Sequence, residues 1–277
     1  MSDRVGMDHP VESGRPGGTI WTWLVGIVLL MWGLIGACGL IPPSMRYRVR
    51  MEPAEELRAQ DGYGVDPEDS TFVFRKEGLM VKVRYLPDEA LNQEYAKQTF
   101  REPNLNPYTY GTWRDIDLGY TPMRFTVFQV TIRNIGYGKV LLDPAKALLL
   151  TDRGDRLEYW DVTKRERTND VRALNNFEEY YRALAGPSGN DQYWYQERIG
   201  IVRSSLYHRD KPVFKGQRYS GKLVFAPLHQ EVKEVTLVLQ GMVIRFDRFG
   251  RPAETADIRF PLRVIQEIQP RTTSETR

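Results

Sequence analysis

The sequence predicts a mainly β protein: an antiparallel β-sandwich with a helical insertion, preceded by one N-terminal membrane-anchoring helix. Three observations carry this. Short segments alternate apolar and polar residues and are separated by turn-forming Gly, Asp and Asn. Apolar residues at helical spacing stand out in one long insertion. A single uncharged apolar run, Thr19 to Ile41, lies near the N-terminus and spans roughly 35 Å as a helix, enough to cross a bilayer.

Residues 1–18 form a polar tail, with Arg4 and Arg15 against Asp3, Asp8 and Glu12. The anchor, 19–41, holds the only cysteine of the chain, Cys38, after Ile35-Gly36-Ala37. That tetrad resembles the lipobox of bacterial lipoprotein signal peptides. The resemblance implies cleavage before Cys38 and a lipid on its sulfur, hence an extracytoplasmic domain. Arg46, Arg48 and Arg50 follow the run closely. They suit anionic headgroups beside a lipidated Cys38, or by the positive-inside rule a cytoplasmic C-terminal domain. Three arrangements stay open: a lipoprotein, an uncleaved signal anchor, and the reversed topology.

Residues 42–70 read as a stalk, with Pro42-Pro43, charges around Glu55 to Gln60, and the turn Asp61-Gly62-Tyr63-Gly64. The β domain is expected over 71–267. Phe72-Val73-Phe74 leads through Glu77-Gly78 to Leu79, Val81, Val83 and Tyr85, which alternate with Met80, Lys82 and Arg84. Met123 to Asn134 is apolar on both faces, which predicts a central strand. Ala147–Thr151 and Arg156–Trp160 flank Asp152-Arg153-Gly154-Asp155 as a hairpin. Lys222–Phe225, Val235–Phe246 and Ile258–Ile265 follow, with a bulge or bend at Gly241. Eight or nine short strands suit a sandwich.

Two helices interrupt them. Asp88–Thr99 opens on acids and pairs Leu91 with Tyr95. Asn169–Leu184 carries Val171, Leu174, Phe177, Tyr181 and Leu184 on one face, is capped at Asn169 or Asp170, and ends at Gly186-Pro187. It lies in an insertion over about 161–203. Residues 268–277 read as a disordered tail.

The segments Phe125–Asn134, Val140–Pro144, Leu149–Gly154, Lys215-Gly216 and Gly221–Phe225 together resemble immunoglobulin-like domains of bacterial lipoproteins. These share a strand ending in Asn, one ending in Asp-x-Gly, and a Gly-x-Leu-Val-Phe segment. The resemblance implies an immunoglobulin-like sandwich outside the cytoplasm and transfers no activity.

The net charge is +3, and no block of five like charges occurs. The chain therefore lacks the concentrated basic stripe of a nucleic-acid binder. One cysteine excludes an internal disulfide. His9, His208 and His229 are isolated and make no zinc site. There is no Gly-x-Ser-x-Gly, no Ser-x-x-Lys and no phosphate loop. His208-Arg209-Asp210 and Asp247-Arg248-Phe249-Gly250 imitate kinase motifs without their partners, and Arg153-Gly154-Asp155 reads as a hairpin tip. Glu178 and Glu179 are neighbours on a helix and do not face one site.

The insertion offers one candidate partner surface: Tyr180, Arg182, Tyr193, Trp194, Tyr195 and Arg198, of the residue types that dominate interfaces. The alternative is that these rings cap the sandwich as a satellite core. The expected protein is a membrane-anchored, non-catalytic binding or scaffolding module of the bacterial envelope. It would use no cofactor or metal and would bind an envelope protein rather than nucleic acid. Two alternatives stand beside it: an envelope hydrolase with carboxylates assembled only in three dimensions, and a cytoplasm-facing single-span subunit of a membrane complex.

Overall fold

Twelve strands are seen among the described residues of the computed structural model, which are 45–55, 61–66, 71–163 and 176–270. The run Thr19–Ile41 and Cys38 lie outside them. Among the described residues no helix is long and apolar enough to cross a membrane. The strands are β1 (Met45–Pro53), β2 (Tyr63–Asp66), β3 (Thr71–Lys76), β4 (Leu79–Tyr85), β5 (Thr126–Asn134) and β6 (Lys139–Val140). They continue with β7 (Ala147–Thr151), β8 (Arg156–Glu158), β9 (Val213–Phe214), β10 (Arg218–Phe225), β11 (Glu234–Phe246) and β12 (Pro252–Pro270).

The fold is mainly β, and its strand pairs are antiparallel. One sheet has the order β1-β12-β11-β7-β8, a second β10-β5-β4-β3-β2, and β6 pairs with β9. One apolar core draws on both five-stranded sheets: Leu237, Leu239, Phe260 and Leu262 from the first, Val81, Val83, Phe128, Val130 and Ile132 from the second. This is compatible with a β-sandwich. Each such side chain, removed from water, contributes about 1.5–3 kcal/mol. Tyr63 links the sheets, its hydroxyl accepting from Arg259 N at 3.2 Å and its ring 5.8 Å from Phe260.

The turns follow the sequence pattern. Glu77-Gly78 joins β3 to β4, and Thr151–Asp155 closes β7 onto β8. At Gly241 the β11–β12 register shifts and φ is +63°, the left-handed backbone that glycine tolerates. β5 is flanked on both sides, by β10 and β4, as its two apolar faces predicted.

Four segments differ from the expectation, two at the ends of the domain and two that are helical. The span expected as a stalk, 42–70, contains β1 and β2, and the compact unit begins at Met45. β1 pairs with β12 along its whole length. Its period-two pattern, with Val49 and Met51 buried between Arg48, Arg50 and Glu52, was masked by the neighbouring prolines and charges. At the other end, residues 268–270 belong to β12 opposite Met45–Tyr47, and only 271–277 lie outside the described residues.

The helices differ most. Asp88–Thr99 divides at Tyr95 into α1 (Asp88–Glu94) and α2 (Ala96–Thr99). In the insertion, α3 runs over Phe177–Leu184. Its cap is Asn176, in extended conformation, whose side chain accepts from Glu179 N at 2.8 Å. The expected start at Asn169 lies outside the described residues. A second helix, α4 (Gly189–Ser205), follows Gly186-Pro187 and opens on a reciprocal capping box between Ser188 and Asp191. Its buried Tyr195, Ile199 and Val202 fall at i, i+4 and i+7 on one face, but Tyr193, Trp194 and Ile201 lie on others and blur the periodicity.

The insertion is seated at Gly221 of β10. Leu206 bridges to Lys222, and Tyr207 N donates to Lys222 O at 2.9 Å. A Cβ on Gly221 would come within 2.4 Å of Tyr207 Cα, so only glycine admits this approach.

Candidate functional site

The outer face of the β10-β5-β4-β3 sheet is concave and basic. β4 buries Leu79, Val81, Val83 and Tyr85, and so turns Met80, Lys82 and Arg84 outward. β5 does the same with Gln129, Thr131 and Arg133, and β10 contributes Arg218 and Ser220. With Thr71 and Arg75 of β3 and Glu94 of α1 these line a trough of about 610 Å³.

Register places the charges. Arg218 lies opposite Arg133, Arg133 opposite Met80, and Met80 opposite Arg75, which makes one row. Ser220, Thr131 and Lys82 make the next, and Lys222, Gln129 and Arg84 the third. Adjacent strands lie about 4.8 Å apart, so Arg75 and Arg218 stand roughly 14 Å from one another at the backbone. Thr131 and Ser220 hydroxyls, 2.7 Å apart, form the floor.

Two lysines are neutralised. Lys82 Nζ is 2.8 Å from Asp66 Oδ2, and buried Lys222 is 2.6 Å from Glu94 Oε1, with its ammonium 5.3 Å from the Tyr95 ring centre. No acidic side chain of the described residues lies within ion-pair distance of Arg75, Arg84, Arg133 or Arg218. Arg133 and Arg218 face each other directly, an arrangement that costs stability unless an anion lies between them. Such an array can hold phosphate or carboxylate groups by charge-assisted hydrogen bonds.

The surface expected from the insertion is divided. Tyr180 packs between Phe125, Trp160 and Tyr181 at 5.0–5.5 Å between ring centres, and its hydroxyl accepts from Arg124 Nε at 3.3 Å. Tyr195 is buried. Arg198 donates to Asn104 O at 2.5 Å and stacks 5.4 Å from Tyr181. Trp194 is half-buried, whereas Tyr193 and Arg182 face solvent. The tyrosines of this region surround an arginine that sequence reasoning missed. Arg124 is 8 % exposed, has no carboxylate partner among the described residues, and lies 4.7 Å from Tyr110, 5.1 Å from Tyr181 and 5.4 Å from Tyr180. It also donates to Thr109 O at 3.2 Å. Burial pushes the Tyr181 hydroxyl well above the usual tyrosine range. This is a packed polar core that fixes the crossover before β5 against α3 and α4.

The other groups weighed from sequence have ordinary partners. Glu178 pairs with Arg203 at 2.6 Å, while Glu179 accepts from Asn176 Nδ2 at 3.0 Å. Arg153 pairs with Glu231 at the hairpin tip. Asp247 Oδ1 accepts from Phe249 N and Arg251 N, both at 2.8 Å, closing the β11–β12 turn. Among the described residues no three His, Cys, Asp or Glu side chains converge as metal ligands. One carboxyl is unusual. Burial, and then the charge of Glu89, push half-buried Asp88 up to about 8. Glu89 itself pairs with Arg46 at 3.1 Å and Arg48 at 3.5 Å.

No family model, curated protein or solved structure matches the chain.

Proposed function

We propose that the protein is a membrane-anchored, extracytoplasmic binding module of the bacterial envelope, lipoprotein-like and non-catalytic, whose trough takes an extended anionic envelope polymer. The observation that carries the binding part is the set of four arginines without acidic partners, spread over one concave face. Their spread exceeds a single phosphate and suits a chain of phosphates or carboxylates. Thr19–Ile41 is the signal or anchor segment, cleaved before Cys38 where Cys38 is lipidated and kept as a spanning helix where it is not.

The domain is proposed to be an immunoglobulin-like sandwich. Support comes from connectivity: β4–β5–β10 repeats the A–B–E pairing of that fold, and β7–β11–β12 repeats C–F–G. The helical insertion then stands where strand D would be, with β8 as an added strand beside C. The hydrolase alternative rests on Asp88 alone. Its neighbour Glu89 is held by two arginines, and the cleft they share is only about 100 Å³.

Intact mass and fatty-acid labelling of the membrane-extracted chain, with Cys38→Ser beside it, test the anchorage. A labelled chain beginning at Cys38, absent in the variant, supports the lipoprotein reading. A full-length unlabelled chain removes it and leaves a spanning helix, with either face open to the domain.

A further inference from the structure

Between α2 and β5 the chain forms a loop that exposes three large apolar side chains within six residues. Trp113 is 52 % exposed, Leu118 44 %, and Ile116 95 %. The loop is built. Asp115 Oδ1 accepts from Asp117 N at 2.9 Å and Leu118 N at 3.0 Å, and Asp115 O accepts from Gly119 N at 3.0 Å. Thr121 Oγ1 donates to Trp113 O at 2.5 Å, and the Tyr110 ring braces Trp113 at 5.3 Å.

The base of the loop is fastened to the first residues of β1. Tyr120 packs on Tyr47 at 5.5 Å, and one small cleft is lined by Met45, Arg46 and Tyr47 together with Gly111, Thr112 and Arg114. Ile268, 46 % exposed, pairs opposite Tyr47 on the same end. The chain enters the domain at Met45. Ile41 is four residues upstream, about 14 Å of extended chain, and Cys38 seven, about 25 Å. A bilayer that holds either one lies within that reach of this end. Trp at such a tip suits the headgroup level. Arg114 is exposed and has no acidic partner among the described residues. Exposed Asp117 limits entry to the interface.

We infer that the loop 111–119 is a second membrane contact: Trp113, Ile116 and Leu118 enter the headgroup–acyl boundary of the bilayer that carries the anchor. This rests on the anchoring proposed above. It fixes the orientation of the domain, with the β11–β12 tip at the far end of β12, about 50 Å away along the strand.

The test uses the full chain carrying Cys38→Ser, which keeps the apolar run, with Ile116→Cys or Phe249→Cys as the only cysteine. Each is labelled with a polarity-sensitive fluorophore and reconstituted in phosphatidylethanolamine–phosphatidylglycerol vesicles. Phe249 is 69 % exposed at the far tip and serves as the water-facing reference. The expected result is a blue shift and about two-fold quenching by nitroxide-bearing lipid at position 116, and neither at 249. Vesicle flotation is read in parallel. A chain that floats while both labels stay wet overturns the loop contact and leaves the anchor intact. A chain that does not float overturns the apolar run as an anchor and the loop contact with it.

Discussion

Removing Arg133 or Arg218 is expected to act in opposite directions on folding and on binding, which gives the proposed trough a distinguishing signature. They are direct cross-strand partners and both are exposed. Like charges roughly 6 Å apart at an effective dielectric of 40–80 repel by about 0.7–1.4 kcal/mol before salt screening. Arg133→Gln is therefore expected to raise stability by about 0.5 kcal/mol. The same change deletes one charge-assisted contact to a polyanion, worth about 1.4 kcal/mol, or ten-fold in Kd. The assay is calorimetric titration of the detergent-solubilised chain with inorganic polyphosphate, beside urea denaturation of the same samples. Arg259→Gln is the control, since Arg259 is exposed on the other sheet. Binding should weaken for Arg133→Gln and Arg218→Gln and hold for Arg259→Gln. Removing both trough arginines should flatten the salt dependence of binding. Equal losses in all three variants would mean that net charge, and not the trough, attracts the anion. A loss of stability in Arg133→Gln would refute the claim that the two guanidinium groups repel.

Three further outcomes are expected. Asp88 has its folded pKa raised to about 8, so its contribution to stability is full below pH 4 and is lost as pH rises through 8. Relative to wild type, Asp88→Asn should gain about 2 kcal/mol between pH 4 and pH 9 in urea titrations, allowing for its partial exposure; a pH-independent difference would contradict the assignment. Gly221→Val drives a side chain into the Tyr207 backbone and should cost about 3 kcal/mol or prevent folding, measured by urea midpoint, while Gly250→Ala, at an open turn, should cost about 1 kcal/mol. Asn134→Ala strips partners from Tyr137 O, Val213 O and Tyr137 N, at 2.8, 2.9 and 3.0 Å, and should cost about 3 kcal/mol by the same measurement.

What could be read in the chain follows from how local each signal is. The alternation in β4, the two apolar faces of β5 and the Asp-Arg-Gly-Asp turn depend on neighbours in sequence, and these elements form where they were expected. Asn134, which ends the strand in the lipoprotein-like pattern, has a physical reason to be there, since its amide ties β5 to Val213 at the start of β9. α4 escaped because its buried stripe, Tyr195, Ile199 and Val202, is blurred by Tyr193, Trp194 and Ile201 on other faces of the helix; Ser188-x-x-Asp191 marked its start. The trough escaped for a different reason. No block of charge exists along the sequence, yet Lys82 and Arg84 on β4, Arg75 on β3, Arg133 on β5, and Arg218 and Lys222 on β10 become an array once register aligns them. A search for basic runs cannot find a stripe that runs across strands. The same holds for Arg124, flanked by Met123 and Phe125, whose tyrosine partners come from positions 110, 180 and 181. In this protein the polar face of each strand held the information, and only pairing β10, β5, β4 and β3 side by side turned scattered arginines into one continuous basic surface.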